Sequence, residues 1–279
     1  MRLIYLLGHP VSHSLSPAMQ NAALRALGLD YGYRLLPVPP AELPSKVELL
    51  RDPDVAGFNV TIPHKVAVVP LLDELDATAS TVGAVNTVVN VGGCLVGYNT
   101  DSVASVRVLR EAYGDLKGCR AVVLGAGGAA RAVASGLASQ AEWITVLARD
   151  EAKAEALAVE VGARTGAETR AATIREAGRI TATADILVNA TPAGMHPDTE
   201  TTPVDAGALH RGLLVFDLVY NPEKTRLLRE AEAAGARTVG GLPMLVYQGA
   251  EALRLWTGRN APEGLMMEAA MAALGGAPA

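Results

Sequence analysis

The sequence predicts an α/β protein made of two α/β domains, and three observations carry that prediction. Short apolar runs alternate with helical patterns along most of the chain. A glycine-rich turn, GAGGAA at 125–130, stands directly between a strand-like run and a helix, as in a doubly wound sheet. The 279 residues are 50% hydrophobic and 19% charged, which is enough apolar material for one large or two ordinary domains.

The elements follow in order. RLIYLLG, from Arg2, reads as a strand, and SPAMQNAALRALG as a helix with Ser16 at the N-cap, Pro17 at the first helical position and Gly28 as its stop. YGYRLLPV is a second strand, AELPSKVELLRD a second helix and VAGFNVTIP a third strand. This βαβαβ order implies a mostly parallel sheet. GAVNTVVNVGGCLVGYNTD departs from the rhythm, because two short β-rich runs about Gly92 and Gly93 read as a hairpin joined to that sheet. Beyond Asp101 a helix, SVASVRVLREAYG, leads to the strand RAVVLG, the glycine turn, an Ala-rich helix, the strand WITVLAR, another helix and the strands DILVNA and LLVFDLV. After GARTVGG the chain ends in helical stretches from about Leu242, which have no further strand to feed and are expected to pack back onto the first domain. The expected domains are therefore 1–101 plus 242–279, and 102–241.

Charge and targeting narrow the function classes. The net charge of −5 comes from 24 basic and 29 acidic residues with no basic run that could track a phosphate backbone, so nucleic acid is not expected as a partner. The N-terminal apolar run is strand-length and lacks a cleavage site, and no apolar stretch reaches the roughly 20 residues that span a bilayer. A cytoplasmic protein without a membrane partner is expected. Cys94 and Cys119 fall in no CxxC or Cys/His spacing and read as reduced thiols, with no metal site.

VVLGAGGAARA matches G-x-G-x-x-A at Gly125, Gly127 and Ala130. Glycine at the first two positions permits the tight turn and lets backbone N–H groups and a helix N-terminus approach a pyrophosphate. The end of the next strand selects the dinucleotide, since an acidic residue there suits NAD and an arginine suits the 2′-phosphate of NADP. Here it reads VLARDEAK, so Arg149 and Lys153 favour NADP. Asp150 has two readings. Facing the ribose it repels the phosphate; turned to the helix it stabilises that N-terminus.

A second stretch, NVTIPHK from Asn59 to Lys65, puts Asn59 and Thr61 on one side of a strand-like alternation and Val60 and Ile62 on the other. With GHPVSHSLSPAMQNAAL, GAVNTV, GYNTD, VLGAGGAARA, LVNATPAGM, FDLVYNPEKT and GLPMLVYQGA, it resembles the shikimate dehydrogenase family in motif order and spacing over essentially the whole chain. The resemblance implies reduction of 3-dehydroshikimate to shikimate with NADPH, on the route to chorismate and the aromatic amino acids. It implies two α/β domains flanking a cleft: an N-terminal substrate domain with a mostly parallel mixed sheet, and a Rossmann-type doubly wound NADP-binding domain. A small-molecule substrate and a monomer or homodimer are expected.

The resemblance also implies roles. It assigns the substrate carboxylate to Ser14 and Ser16, although Ser16 read by itself is a helix N-cap. Ring hydroxyls and proton transfer fall to Thr61, Lys65, Asn86 and Asp101, with Lys65 and Asp101 as the catalytic pair. Read singly, Asn86 is a turn residue, Asp101 an N-cap and Lys65 a solvated charge. The chain has only five lysines among 24 basic residues, so a lysine at 65 is a weak sign that a compact ammonium is needed there. Tyr220 and Gln248 match further substrate contacts. On the cofactor side the match gives Gly125, Ala126, Gly127, Gly128 and Ala129 in the phosphate turn, Arg149 and Lys153 at the 2′-phosphate, Thr191 beside the adenosine half, and Leu218, Gly241 and Met244 about the nicotinamide.

This chain departs from the family at four places. The usual NRT is ARD, with Ala148 and Asp150 replacing two polar contacts, Ala77 stands where an acidic residue is common, and Pro192 stands where serine is common. Hydride addition to a ring ketone leaves an alkoxide that needs a proton. Lys65 is expected to act there as an acid/base or as a fixed cation, with Asp101 orienting it. His64 and Asn59 are expected to be structural. Two rival readings are a quinate-oxidising relative using NAD or both cofactors, and a non-catalytic dinucleotide sensor.

Overall fold

The computed structural model describes residues 1–275 and contains, among them, 12 strands and 10 α-helices. They form two compact units, Met1–Asp101 with the chain from Leu245, and Ser102–Met244.

The first unit contains β1 (Arg2–Gly8), α1 (Ser16–Ala26), β2 (Tyr31–Pro37), α2 (Leu43–Leu49), β3 (Val55–Val60), β4 (Glu74–Leu75), α3 (Ala77–Val82), β5 (Thr87–Val91) and β6 (Cys94–Tyr98), and α4 (Thr100–Tyr113) begins at its edge. The sheet order is β2-β1-β3-β5-β6-β4. The central strands β1 and β3 are parallel, and β5 pairs antiparallel to β3. Every residue of β3 is buried, as a central strand covered on both faces requires. Phe58 and Val60 join Leu7, Val88 and Leu95 in the core. The β5–β6 hairpin turns through Gly92 (φ 62°) and Gly93 (φ 95°), and two consecutive positive φ values are what a type I′ turn demands.

The second unit contains β7 (Arg120–Leu124), α5 (Gly128–Leu137), β8 (Trp143–Ala148), α6 (Glu151–Thr165), β9 (Thr169–Thr173), α7 (Ala177–Thr181), β10 (Ile186–Asn189), β11 (Leu214–Asp217), α8 (Arg226–Ala233) and β12 (Arg237–Val239). Its order is β12-β11-β10-β7-β8-β9 with every pair parallel. That is the doubly wound order, and its switch point lies between β7 and β10, where such sheets bind ligands at their carboxyl ends. Val122, Leu124, Leu147, Leu187 and Val215 fill one core layer.

The chain ends in α9 (Leu242–Thr257) and α10 (Glu263–Gly275). From Leu245 these helices belong to the first unit, where α10 packs on α1. Gln20 Nε2 donates to the Gly249 carbonyl at 2.8 Å and Trp256 Nε1 to the Val88 carbonyl at 2.9 Å. No helix of the described residues is long and apolar enough to cross a membrane.

Several local expectations are corrected. Ser16 is the first helical residue, and the N-cap is Leu15, which makes no side-chain cap bond. Ser14 accounts for the shift, because its hydroxyl accepts the Ser16 N–H at 3.2 Å and closes a local turn ahead of the helix. β3 ends at Val60 rather than running to Pro63, since the His64 N–H turns back onto the Thr61 carbonyl. Asp101 lies inside the first turn of α4 and not ahead of it. β4, β9 and β12 come on top of the expected strands. Each is a sheet edge, and an edge strand needs no continuous apolar run.

Candidate active site

In the first unit, the loop after β3, the residue before β5 and the start of α4 bring Lys65, Asn86 and Asp101 together. Lys65 Nζ lies 2.5 Å from Asp101 Oδ2, with the two side chains 15% and 7% exposed. Asn86 Nδ2 donates to Asp101 Oδ1 at 2.8 Å and to Thr100 Oγ1 at 2.9 Å, and Asn86 Oδ1 accepts the Thr100 N–H at 2.8 Å. Asp101 thus meets an ammonium on one oxygen and an amide on the other, which fixes its rotamer. Lysine offers three N–H donors, and Asp101 is the one partner of the Lys65 ammonium among the described residues. The backbone also holds the lysine, whose carbonyl accepts the Val85 N–H at 2.8 Å. Gln248 reaches this group from α9. Its Oε1 lies 3.4 Å from Asn86 Nδ2, and its amide donates to the Leu245 carbonyl at 2.7 Å.

A buried scaffold stands behind these residues. Asn59 Nδ2 donates to the Asn86 carbonyl at 3.0 Å and to Thr87 Oγ1 at 2.9 Å, and Asn59 Oδ1 accepts from the Tyr33 hydroxyl at 2.7 Å. Burial pushes the Tyr33 phenol far above the usual range. The motif residues Asn59 and Asn86 are therefore tied into one network with Tyr33 and Thr87. His64 is 1% exposed, and its Nε2 lies 2.6 Å from the Val38 carbonyl, which spends one ring nitrogen on the fold. Thr61 is half-buried, and its hydroxyl has no partner among the described residues. Ser14 is half-buried as well.

In the second unit, β7 runs into the glycine turn. Gly125 has φ +109° and its N–H donates to the Leu147 carbonyl at 2.7 Å; a Cβ there would sit 3.0 Å from the Ala190 carbonyl oxygen. Position 125 therefore requires glycine on two counts. Gly127 is the N-cap of α5 without a side-chain cap, and a Cβ added to it would meet nothing within 4 Å. Its lack of a side chain is not explained by protein packing. The first N–H groups of α5, through Gly128, Ala129 and Ala130, have no intrahelical acceptor. With Ala126 in the same turn, these features form an anion cradle that fits a pyrophosphate.

At the end of β8, Arg149 is exposed and makes no ion pair among the described residues. Asp150 is the N-cap of α6: its carboxylate accepts the Lys153 N–H at 3.3 Å and lies 3.4 Å from Lys153 Nζ. Of its two readings, the helix-stabilising one describes this carboxylate.

Thr191 and Leu218 follow β10 and β11. The Thr191 N–H and hydroxyl both donate to Asn189 Oδ1, at 3.0 and 2.7 Å, and the Leu218 N–H donates to the Asn189 carbonyl at 3.0 Å. Gly241 packs on the Leu218 carbonyl so closely that a Cβ would fall 2.2 Å from its oxygen. Met244 is buried, and Tyr220 is half-buried with its phenol shifted upward by burial. Sequence reasoning missed Asn189 and Asp217, which are both fully buried polar side chains. The signal available was a single polar residue closing each of the apolar runs ILVN and LVFD.

Comparison with known proteins finds relatives along almost the whole chain. Three family models match: a shikimate dehydrogenase substrate-binding domain over residues 6–88, a shikimate / quinate 5-dehydrogenase domain over 107–223, and a shikimate 5′-dehydrogenase C-terminal domain over 241–271. A shikimate dehydrogenase (NADP(+)) of Methanopyrus kandleri is 50% identical over 274 residues, covering 96% of this chain and 94% of its own. A crystal structure of a shikimate dehydrogenase in complex with NADP+ superposes with a TM-score of 0.92 at 41% identity, covering 98% of this chain and 95% of its own. The Thermus thermophilus shikimate 5-dehydrogenase in complex with NADP(H) and shikimate gives a TM-score of 0.87 at 42% identity, covering 98% and 100%. Identity at this level, sustained through both units and the returning helices, means that the chain belongs to the shikimate dehydrogenase family.

Proposed function

We propose that this protein catalyses the reversible NADPH-dependent reduction of 3-dehydroshikimate to shikimate, with Lys65 and Asp101 as the proton-transfer pair. The observation that carries the reading is the 2.5 Å contact between Lys65 Nζ and Asp101 Oδ2, braced on its far side by Asn86. NADPH supplies the hydride when bound. Lys65 holds a cation and a transferable proton where the ketone oxygen becomes an alkoxide. Asp101 orients the ammonium and leaves its remaining donors for substrate oxygens. Thr61 offers a free hydroxyl to the ring, Ser14 and Ser16 are assigned to the carboxylate, and Gln248 and Tyr220 to further substrate contacts. Asn86 acts chiefly through Asp101, because its own amide is spent on internal bonds.

On the cofactor side, the uncapped turn at Gly125–Ala129 holds the pyrophosphate, Arg149 and Lys153 the 2′-phosphate, and Thr191, Leu218, Gly241 and Met244 line the remainder. A charge-assisted bond from arginine to phosphate is worth about 1.5–3 kcal/mol, or roughly 10–100-fold in affinity. Arg149→Ala is expected to weaken NADP+ binding by that factor and to leave NAD+ binding within about two-fold, by calorimetric titration of both nucleotides. Equal loss for both would sink the assignment of Arg149 to the 2′-phosphate.

A second reading, oxidation of quinate with NAD, draws on the Asp150 carboxylate, which neutralises part of the Lys153 charge. Initial rates of shikimate and quinate oxidation, each with NADP+ and NAD+, separate the two. The proposal expects the shikimate–NADP+ combination to lead in kcat/KM by at least about ten-fold. Quinate with NAD+ in the lead would replace it, and no turnover of either acid with either nucleotide would point to a non-catalytic sensor.

A further inference from the structure

We propose that Asp217 is a positioning residue of the nucleotide site, whose ionised carboxylate clamps together the loops that leave β10 and β11. The inference rests on the cofactor assignment above, since it concerns the segments that carry Thr191 and Leu218.

Asn189 and Asp217 are register partners at the carboxyl ends of two adjacent parallel strands, and both are fully buried. Asp217 Oδ1 accepts from Asn189 Nδ2 at 2.9 Å and from the Val219 N–H at 3.0 Å; Oδ2 accepts from Thr225 Oγ1 at 2.6 Å. Each donor belongs to a different part of the site. Asn189 accepts both donors of Thr191 on its Oδ1 and donates to the Ala193 carbonyl at 3.2 Å, so the bond from Asp217 fixes the amide that shapes the loop after β10. Val219 follows Leu218 directly, so its N–H bond sets the course of the loop after β11. Thr225 caps α8 through the Leu228 N–H, which anchors the far end of that loop. One carboxylate thus joins two loops and a helix N-terminus.

All three donors facing Asp217 are neutral, and among the described residues no cationic group offsets its charge. A buried carboxylate without a cation is costly, and stability alone does not favour keeping one. Its burial pushes the carboxyl up to about 6. Protonation reverses the bond with Thr225 or removes an acceptor from one of the other donors, and it replaces charge-assisted bonds by weaker neutral ones, so the clamp loosens. Asp217→Asn copies that neutral form.

The test is calorimetric NADP+ binding to the full chain, wild type against Asp217→Asn, at pH 8 and pH 5.5. The expected result is weaker binding by Asp217→Asn at pH 8, several-fold or more, with the gap narrowing by about four-fold at pH 5.5, where only about a quarter of a carboxyl titrating near 6 stays ionised. The 2′-phosphate titrates in the same range for both proteins, so the ratio between them is the quantity read. Asp217→Ala, checked for native circular dichroism, is expected to lose at least ten-fold at both pH values; if it does not fold, the asparagine ratio decides alone. Binding by Asp217→Asn within two-fold of wild type at pH 8, or a gap that does not change with pH, overturns the clamp and leaves the cofactor assignment standing. Absence of NADP+ binding by the wild type overturns both.

Discussion

Lys65→Ala is expected to lower kcat for shikimate oxidation by about 10²–10⁴-fold, the range over which a positioned acid/base contributes. The shikimate KM is expected to change far less, because an interaction formed only as charge develops on oxygen appears in kcat and kcat/KM together. Two features make the effect large. The ammonium is mostly shielded from water, which strengthens its field at a developing alkoxide, and its partner carboxylate is held by Asn86 rather than free to follow a displaced lysine. Steady-state rates over a range of shikimate concentrations at saturating NADP+ check this. A Lys65→Ala enzyme with kcat within a few-fold of wild type would remove Lys65 from the chemistry. Thermal unfolding of the same variant controls for the buried Asp101 carboxylate that the substitution leaves without its cation.

Asn59→Leu, six residues away in the same motif, is expected to do the opposite. It deletes bonds to Tyr33, to the Asn86 carbonyl and to Thr87 in a site only 5% exposed. The Asn86 carbonyl keeps the Val60 N–H, and Thr87 keeps Asn86, but the buried Tyr33 hydroxyl loses its acceptor. One orphaned hydroxyl and the forced entry of a branched apolar group together cost about 2–4 kcal/mol. The unfolding midpoint is expected to fall by roughly 5–10 °C, while kcat of the folded enzyme stays within about three-fold. A loss of kcat as large as that of Lys65→Ala, with an unchanged midpoint, would give Asn59 a role in the chemistry instead.

The contrast between these residues shows what the sequence could reveal. The glycine turn was legible because a backbone at φ +109° and an approach of 3.0 Å to Ala190 leave no choice of residue at 125. The central strands were legible where burial on both faces gives an unbroken apolar run, as in AVVL of β7. β9 and β12 were hidden by their edge positions, where TRAAT and RTV satisfy the ladder without an apolar signature. Ser16 was misplaced because a serine before a helical proline is a good cap in isolation, and only the Ser14 hydroxyl two residues earlier moves the cap. Asp150 could be read in two ways until its carboxylate was seen on the helix it begins. Lys65 and Asp101 are 36 positions apart in the chain, and no local pattern links them. The resemblance of whole motifs singled them out, and the crossing from β3 through β5 and β6 to α4 brings them into contact. Asn189 and Asp217 lie in two of those motifs, LVNATPAGM and FDLVYNPEKT, but the resemblance gave them no role. A polar residue closing an apolar strand looks like the start of a loop, and its burial is set by the neighbouring strand.

The central claim is that Lys65 and Asp101 act as one unit, and a double-mutant cycle on kcat tests it most directly. Lys65→Ala, Asp101→Asn and the double variant are compared at saturating shikimate and NADP+, with each protein shown to be folded. Residues that act as a unit are strongly non-additive. The expected result is a double variant about as slow as Lys65→Ala alone. Losses that multiply, so that the double variant is slower by the product of the two single effects, would contradict a shared proton-transfer role.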